Sequence, residues 1–457
     1  MIYGLIGEKL SHSFSKLIHE RLGDYQYTLF SLSEEQFKEM LTEKKFDGIN
    51  ITIPYKKMAM LFCDEISEIA KEIGAINTIY KKDGKFVGTN TDYDGFLYML
   101  RRAGISIKNK KVLILGAGGT SLTVQTCALN EGAREISVAY RGHDFNLERD
   151  AEIIVNTTPV GMFPNNGEKL ITLSDFPNCE GVLDVVYNPL LTELLLRAKE
   201  FKIPYSGGLP MLVAQATAAA NLFAGRNYEA NGSCATGKNG GAGEKCDAGK
   251  NYEDRNEEIL SWLLSSIKNI ILIGMPGSGK STVGKLLAKE LDKTFVDLDD
   301  VIIGKAGMSI PEIFAKHGEV FFRNLETEAC KEYGKQKNLV IASGGGAVLK
   351  KENMDALMQN GEVFFLNRDI KNLATDGRPL SINFEAIQKL YEERLPLYRK
   401  YSDHTIDCTE AIAESKNGKN DKITEITVEA AIAETANKIT SILQAHTEIC
   451  YTILMTR

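Results

Sequence analysis

The sequence lacks the features of a protein that binds nucleic acid, crosses a membrane or is secreted. Its formal net charge is −7, whereas a nucleic-acid-binding surface would be basic. No apolar run approaches the ~18 residues of a membrane span, and residues 1–7 show neither a basic segment nor a long apolar core, so no signal peptide is predicted. We therefore expect a cytoplasmic protein with small-molecule partners and neither nucleic acid nor membrane as a partner. Its oligomeric state is open, and a monomer is compatible with the sequence.

Closely spaced cysteines of the C-x-x-C type are also absent from the sequence. The eight cysteines contain no C-x-x-C pair, which argues against a structural zinc site. In a long chain without a signal peptide, scattered cysteines indicate reduced thiols.

A low-complexity segment divides the chain, whose 457 residues suggest about three folding units at ~150 residues per domain. Asn231–Lys250 is rich in Gly, Asn, Lys and Ala and has no large apolar side chain to bury. This composition predicts a flexible linker, which we place at 227–257. Glu253–Ile267 then has the pattern of a short amphipathic helix and carries the single tryptophan, Trp262.

Strand and helix patterns alternate on both sides of this segment. In the first module, Lys111–Leu115 is a short apolar run typical of a strand, whereas Ser15–Leu22 and Tyr93–Ala103 have helical spacing. Both modules are therefore predicted to be α/β. The strand patterns of the second module lie near 270–273, 294–298, 339–342 and 362–366.

A phosphate-binding loop lies in the second module. Gly274–Thr282 matches G-x-x-x-x-G-K-[ST], between a strand pattern and a helical pattern, which is the context that separates this motif from a chance glycine-rich turn. Backbone N–H groups of such a loop wrap a triphosphate, Lys280 reaches the outer phosphates, and the Ser281 hydroxyl meets Mg²⁺. We predict a nucleoside triphosphate with Mg²⁺, bound by Gly277, Ser278, Gly279, Lys280, Ser281 and Thr282.

A second glycine-rich turn follows the strand Lys111–Leu115 and suits a dinucleotide pyrophosphate. By itself this variant of G-x-G-x-x-G is equally compatible with an ordinary tight turn. Arg141, after the next strand, favours a 2′-phosphate and hence NADP(H) over NAD(H), the alternative being a solvated surface arginine. Only 142–150 precede the next strand, too few for a helical crossover, so the domain is predicted to be reduced. The predicted turn residues are Gly116, Ala117, Gly118 and Gly119.

Three polar clusters lie before this turn. His12–Ser15 offers two hydroxyls, Asn50–Lys56 places an amide and a hydroxyl on one strand face ahead of a lysine, and Asn90–Asp92 offers an amide and a carboxylate. Each has an ordinary alternative, respectively a helix cap, a solvated lysine and an Asx-turn aspartate.

Taken together, these clusters resemble the shikimate dehydrogenase family over residues 1 to about 226. The same order of motifs includes Ala75–Thr78 and Gly208–Gln215. The resemblance implies NADP(H)-linked interconversion of 3-dehydroshikimate and shikimate, with Lys56 and Asp92 as the catalytic pair. It implies that Ser13 and Ser15 hold the shikimate carboxylate and that the ring hydroxyls meet Asn50, Thr52, Asn77 and Gln215. It also implies a cleft lined by Tyr187 and Gly208, with Met211 near the nicotinamide. One departure concerns the family's Asn-Arg-Thr after the second nucleotide strand, of which only Arg141 remains here.

The second module has five further motifs, at 297–299, 322–326, 344–346, 377–380 and 394–398. With the phosphate loop they resemble the shikimate kinase family from 268 to about 445. The resemblance implies that Asp297 orders Mg²⁺ and that Asp299 contacts the attacking hydroxyl as its base. It further implies a carboxylate clamp of Arg323 and Arg394 oriented by Glu326, backbone contact with the ring at Gly345, and a lid that carries Arg378.

We therefore predict a bifunctional shikimate-pathway enzyme of the α/β class. Its first part is an α/β substrate domain at 1–92, which a helix at about 208–226 completes. A trimmed Rossmann NADP-binding domain occupies 93–207. The linker at 227–257 leads to a P-loop domain like nucleoside monophosphate kinases at 258–445. No role is predicted for 446–457. One alternative is an active kinase with a non-catalytic shikimate-binding N-terminal module. Another is a P-loop switch or nucleoside kinase fused to an unrelated reductase, although no N-K-x-D motif of a switch is present.

Overall fold

The computed structural model describes residues 1–10, 13–140, 142–225, 252–373, 384–408 and 431–445. The chain divides into two compact units, Met1–Trp262 and Leu263–Arg457. Most of the predicted linker, the polar patch at 414–422 and the tail at 446–457 lie outside the described residues. Among the described residues, no helix combines the length and apolarity needed to cross a bilayer.

The first unit begins with a mixed six-stranded sheet in the order β2-β1-β3-β5-β6-β4. Its strands are β1 (Tyr3–Gly7), β2 (Tyr27–Ser31), β3 (Gly48–Ile51), β4 (Glu65–Ile66), β5 (Thr78–Lys82) and β6 (Lys85–Thr89). Its helices are α1 (Ser15–Leu22), α2 (Glu34–Glu43), α3 (Glu68–Ile73) and α4 (Asp92–Ala103). The antiparallel pairing of β3 with β5 sets Asn50 opposite Thr78, which brings two of the predicted motifs side by side.

The second sheet of this unit is parallel, in the order β11-β10-β9-β7-β8. It consists of β7 (Lys111–Leu115), β8 (Glu135–Ala139), β9 (Ile153–Asn156), β10 (Gly181–Asp184) and β11 (Tyr205–Ser206), with α5 (Gly119–Asn130) and α6 (Glu193–Phe201). The last helix, α7 (Leu209–Phe223), packs against α1 and α4 and against β5 of the first sheet. Alternate residues of β7 enter two cores: Val112 and Ile114 pack on one face, and Leu113 and Leu115 on the other. Both faces are thus covered, as parallel sheets require.

This second sheet is a shortened dinucleotide-binding fold. Strand β8 stands at its edge, and the described residues between β8 and β9 contain only a 3₁₀ helix, Phe145–Glu148. The third strand and its crossover helix are therefore missing, as the short spacing predicted.

Helix α8 (Tyr252–Ile267) confirms the predicted amphipathic helix, and its part up to Trp262 belongs to the first unit. Glu257 is buried there and accepts hydrogen bonds from Tyr98 Oη and, at 2.7 Å, from Arg102 Nε, both on α4. The predicted boundary between 257 and 258 falls inside this helix.

The second unit has a five-stranded parallel sheet in the order β13-β14-β12-β15-β16. Its strands are β12 (Asn269–Ile273), β13 (Thr294–Asp297), β14 (Leu339–Ala342), β15 (Gly361–Asn367) and β16 (His404–Asp407). Its helices are α9 (Lys280–Glu290), α10 (Leu298–Ala306), α11 (Ile310–Gly334), α12 (Lys351–Met358), α13 (Phe384–Tyr401) and a helix over 431–445. The phosphate-binding loop joins the central strand β12 to α9, which is the position where parallel sheets bind ligands.

Candidate active sites

The two side chains predicted to carry the reduction, Lys56 and Asp92, form a buried ion pair. Lys56 Nζ donates to Asp92 Oδ2 at 2.5 Å, and each side chain is only 11% exposed. Asp92 is the first residue of α4, and its backbone N–H donates to Asn90 Oδ1 at 3.1 Å. One of the three ammonium protons is thus directed to Asp92, and the other two can be donated elsewhere.

The two predicted amides join this pair. Asn77 Nδ2 donates to Asp92 Oδ1 at 2.9 Å, while Asn77 Oδ1 accepts from the backbone N–H of Thr91 at 2.7 Å. Asn50 Nδ2 donates to Thr78 Oγ1 at 2.9 Å, and Thr78 Oγ1 lies 3.0 Å from Asn77 Oδ1. The structure therefore unites residues from three separate motifs.

The predicted carboxylate ligands lie together at the start of α1. Ser13 Oγ donates to Ser15 Oγ at 3.0 Å and accepts from the Ser15 backbone N–H at 3.2 Å. The ring of Tyr187 lies 5.7 Å from that of Phe14, so the predicted cleft residue adjoins these hydroxyls.

Two other predicted substrate ligands are placed less directly. Thr52 follows β3 and lies beside Gly7 of β1, where an added Cβ would come within 2.6 Å of Thr52 Cγ2. Gln215 Nε2 donates to the carbonyl of Leu212 in its own helix, at 2.9 Å. None of the described hydrogen bonds joins either side chain to Lys56 or Asp92.

The predicted dinucleotide turn lies beside Lys56. Gly116 has φ +111°, and a Cβ there would come within 2.8 Å of Thr157 Oγ1, so the position requires glycine. Gly118 caps α5 and has open space around its Cα, and a Cβ at Gly119 would lie 3.4 Å from Lys56 Cδ. The helix N-terminus and Lys56 thus face the same space. The turn consists of Gly116, Ala117, Gly118 and Gly119.

The remaining predicted cofactor residues of the first unit are Gly208, Met211 and Arg141. A Cβ at Gly208 would collide with the backbone of Val185, so only glycine fits there. Met211 is 6% exposed, and its side chain packs in the core on one face of the second sheet. Its backbone lies close to Gly95 of α4, where an added Cβ would come within 2.6 Å of the Met211 carbonyl oxygen. Arg141 lies outside the described residues.

In the second unit, the phosphate loop has a glycine-dependent backbone. The φ angles of Gly274, Gly277 and Gly279 are +148°, +85° and +94°, which side chains disfavour. Lys280 Nζ donates to the carbonyl oxygens of Gly274 and Met275, each at 3.0 Å, so the loop curves around its ammonium.

The predicted phosphate and metal ligands lie around the same loop. Ser278 is 3% exposed and its Oγ has no partner among the described residues, whereas Thr282 is exposed on α9. Ser281 Oγ donates to Asp297 Oδ2 at 2.5 Å, and the Asp299 backbone N–H donates to Asp297 Oδ1 at 3.0 Å. The predicted metal ligands therefore adjoin one another.

The predicted arginine clamp surrounds a buried glutamate. Arg323 Nη1 donates to Glu326 Oε2 at 2.9 Å, and Arg323 Nη2 donates to Glu319 Oε1 at 3.1 Å. Burial raises the pKa of Glu326, and the charges of Arg323 and of the buried Arg394 oppose that rise. Glu326 therefore binds Arg323 directly, whereas Arg394 acts on it only through its charge.

The glycine turn Gly344–Gly346 connects these groups. A Cβ at Gly344 would lie 2.8 Å from Glu326 Oε1 and 2.9 Å from Asp299 Oδ1, and one at Gly346 would collide with the guanidinium of Arg323. Tyr398 donates to the carbonyl of Gly345 at 2.6 Å, which fixes the turn against α13. The turn therefore lies between Arg323 and Asp299.

Some residues of these sites were not found from the sequence. Arg368 follows β15, and its Nη1 lies 3.9 Å from a Cβ built at Gly279, beside the phosphate loop. It lies in no recognised motif, so no signal marked it. Thr78 and Thr91 lie inside motifs that were recognised, yet only their neighbours were assigned roles. Arg378 lies outside the described residues.

Comparisons with known proteins assign the two halves to different families. The family model of the shikimate dehydrogenase substrate-binding domain matches residues 5–79, and that of shikimate kinase matches residues 276–440. The chain is 35% identical over 245 residues to the NADP⁺ shikimate dehydrogenase of Clostridium beijerinckii, a match that spans 48% of this chain and 91% of that protein. The corresponding enzyme of Caldicellulosiruptor bescii is 37% identical over 255 residues, spanning 48% of this chain and 88% of that protein.

A solved structure gives a similar result. The crystal structure of a chorismate mutase/shikimate 5-dehydrogenase fusion protein from Clostridium acetobutylicum is 32% identical, with a TM-score of 0.50. The match covers 57% of this chain and 96% of that one.

Proposed function

Because the chain belongs to the shikimate dehydrogenase family through its first half and carries a shikimate kinase domain in its second, we propose how one bifunctional enzyme performs two consecutive reactions. It reduces 3-dehydroshikimate to shikimate with NADPH and then phosphorylates shikimate with ATP. The observation that carries the first activity is the buried Lys56–Asp92 pair, 2.5 Å apart and next to the dinucleotide turn. The two assignments support each other, since the product of the first reaction is the substrate of the second.

In the reduction, Lys56 holds its proton toward the oxygen of the substrate ketone and delivers it as that oxygen gains charge. Asp92 fixes the ammonium, and general acid catalysis of this kind contributes about 10²–10⁴-fold. NADPH supplies the hydride when bound. Ser13 and Ser15 hold the substrate carboxylate, and the amides of Asn50 and Asn77 orient its ring hydroxyls. Thr52, Gln215 and Tyr187 complete the cleft.

The first half has the features that a dinucleotide needs. Gly116 has no room for a side chain, whereas the space around Gly118 at the N-terminus of α5 is open. A helix N-terminus with unshielded N–H groups suits a pyrophosphate. Gly208 and Met211 would border the nicotinamide end, and Arg141 would hold the 2′-phosphate of NADP(H).

The second half has the features that ATP and Mg²⁺ need. The buried Ser278 hydroxyl, without a partner among the described residues, is suited to a phosphate oxygen. Ser281 and Asp297 offer the hydroxyl and carboxylate oxygens that Mg²⁺ prefers, and the metal would neutralise phosphate charge.

In the phosphorylation, Asp299 accepts the proton of the attacking hydroxyl while Arg323 and Arg394 hold the shikimate carboxylate. Lys280 stabilises charge on the transferring phosphoryl group, and we assign the same task to Arg378. Gly345 brings the backbone close to the ring. We place the domain boundaries as the sequence predicts them, except that the boundary at 257/258 moves to the end of the first unit at Trp262. We place the enzyme in the cytoplasm, and a monomer is compatible with both activities.

A non-catalytic N-terminal module is the less favoured alternative, because such a module would have no need to retain the buried Lys56–Asp92 pair. A coupled assay decides between the two. With 3-dehydroshikimate, NADPH and MgATP supplied together, the purified chain is expected to consume NADPH and to form shikimate 3-phosphate. Phosphorylation of added shikimate without any oxidation of NADPH would establish the alternative.

Cofactor selectivity is expected to depend on Arg141. The Arg141→Ala variant should have a Michaelis constant for NADPH that is ~10- to 100-fold higher, since a hydrogen bond to a charged group is worth about 1.5–3 kcal/mol. Steady-state kinetics with NADPH and NADH measure this effect, and the constant for NADH should barely change. Equal changes for both cofactors would remove Arg141 from the 2′-phosphate site.

A further inference from the structure

A buried chain of hydrogen bonds leads from Tyr27 on β2 to the catalytic carboxylate. Tyr27 Oη donates to Asn50 Oδ1 at 2.7 Å, and Asn50 Nδ2 donates to Thr78 Oγ1 at 2.9 Å. Thr78 Oγ1 then donates to Asn77 Oδ1 at 3.0 Å, and Asn77 Nδ2 donates to Asp92 Oδ1 at 2.9 Å. Every link runs in the same direction, from donor to acceptor.

Burial favours that direction. Tyr27 and Thr78 are 1% and 0% exposed, and the two amides are 4% and 3% exposed. A polar atom left without a partner at such depth is costly, so each donor of the chain has to meet an acceptor. Burial also raises the pKa of Tyr27 well above its usual value, so its hydroxyl keeps the proton that it donates.

The tyrosine ring is itself held in place. His19 stacks on Tyr27 with ring centroids 4.0 Å apart and an angle of 3° between the planes, and its Nδ1 lies 2.8 Å from Tyr25 Oη. Burial lowers the pKa of His19 to about 3, so the imidazole is neutral at physiological pH. The first donor of the chain therefore stays in one position.

A hydroxyl has a single proton, and this determines what Thr78 can do. Because it accepts from Asn50, its own proton is available for Asn77 Oδ1 at 3.0 Å, the shorter of its two contacts, the other being Thr91 Oγ1 at 3.2 Å. The backbone N–H of Thr91 also donates to Asn77 Oδ1. Asn77 Nδ2 is then directed to Asp92. If the Asn77 amide were reversed, its Nδ2 would face the backbone N–H of Thr91 at 2.7 Å and its Oδ1 would face the Asp92 carboxylate at 2.9 Å. If the Asn50 amide were reversed, its Oδ1 would take the proton of Thr78, and the coupling to Asn77 would be lost.

We propose that Tyr27 and Thr78 are positioning residues for the reduction. Tyr27 fixes the amide orientation of Asn50, and Thr78 couples Asn50 to Asn77. Both amides then present a fixed pattern of donors and acceptors to the ring hydroxyls, and Asp92 is held against Lys56. This inference rests on the proposed roles of those four residues, and it assigns work to two side chains that touch neither substrate nor cofactor.

Four variants test it in the oxidation of shikimate by NADP⁺. Tyr27→Phe keeps the ring but removes the donor and is expected to raise KM for shikimate roughly tenfold, because the Asn50 amide can then turn. Thr78→Val keeps the shape but breaks the coupling to Asn77 and should lower kcat roughly tenfold. Thr78→Ser restores the hydroxyl and should recover most of that loss. The matched control is Thr217→Val. It removes the hydroxyl of a threonine that is 1% exposed, whose one hydrogen bond among the described residues goes to the carbonyl of Val213 in its own helix, at 3.1 Å.

Kinase activity of the same purified chain measures whether each preparation is intact. Tyr27→Phe and Thr78→Val with kinetics within twofold of Thr217→Val would overturn the inference, as would a Thr78→Ser variant no better than Thr78→Val. If Thr78→Val does not fold, Tyr27→Phe decides alone. A Lys56→Ala variant that stays active would instead refute the proposed site itself, so the two failures are distinguishable.

Discussion

Replacement of Lys56 by alanine is expected to abolish the reduction of 3-dehydroshikimate and to leave the phosphorylation of shikimate unchanged. Lys56 Nζ is the proton donor held at 2.5 Å by Asp92, and the loss of a general acid lowers the rate about 10²–10⁴-fold. The reduction is followed by the absorbance of NADPH, and the kinase reaction by formation of shikimate 3-phosphate from added shikimate. Asp92→Asn should have the same selective effect, because a neutral amide holds the ammonium less strongly.

The chain provides two controls for this result. Lys57 is the exposed neighbour of Lys56, and Lys57→Ala removes the same charge one residue away from the pair. It should reduce 3-dehydroshikimate at the rate of the unmodified enzyme. Equal losses in Lys56→Ala and Lys57→Ala would point to a general charge effect, and a folded Lys56→Ala variant that lost both activities would contradict independent function of the two halves.

The proposed catalytic groups could be found from the sequence because they lie in short motifs with fixed spacing. Lys56 lies in the turn that follows Asn50 and β3, and Asp92 follows an amide at the start of a helix, so local chemistry marks both. The same holds for the phosphate loop, whose glycines must adopt positive φ angles. The shortened dinucleotide fold was also predictable, since nine residues cannot form a helical crossover.

What the sequence could not show depends on strand register and on contacts between distant elements. Tyr27 lies 23 positions before Asn50, and only the parallel placement of β2 and β3 on either side of β1 brings the two side chains together. Likewise, Glu257 bonds to Arg102 of α4 across 155 positions. An amphipathic pattern predicts that a helix packs through one face, but it does not identify the surface against which that face packs.

Replacement of Arg323 by lysine is expected to impair the kinase although the positive charge is retained. A planar guanidinium can hold a carboxylate with two parallel hydrogen bonds, whereas an ammonium is a point charge without that geometry. Glu326 and Glu319 accept hydrogen bonds from the guanidinium, and the absence of a side chain at Gly346 makes room for it. Loss of one charge-assisted hydrogen bond should raise KM for shikimate ~10- to 100-fold.

The effect should be confined to one substrate of one reaction. KM for ATP and the reduction of 3-dehydroshikimate should both be unchanged in Arg323→Lys, because the phosphate loop and the first unit keep all their side chains. Arg399→Lys is the matched control, since Arg399 is exposed on α13, the helix that carries the buried Arg394. An unchanged KM for shikimate in Arg323→Lys would remove this arginine from the carboxylate site. A parallel rise in KM for ATP would indicate that the buried Arg323–Glu326 pair supports the fold of the domain rather than the binding of shikimate.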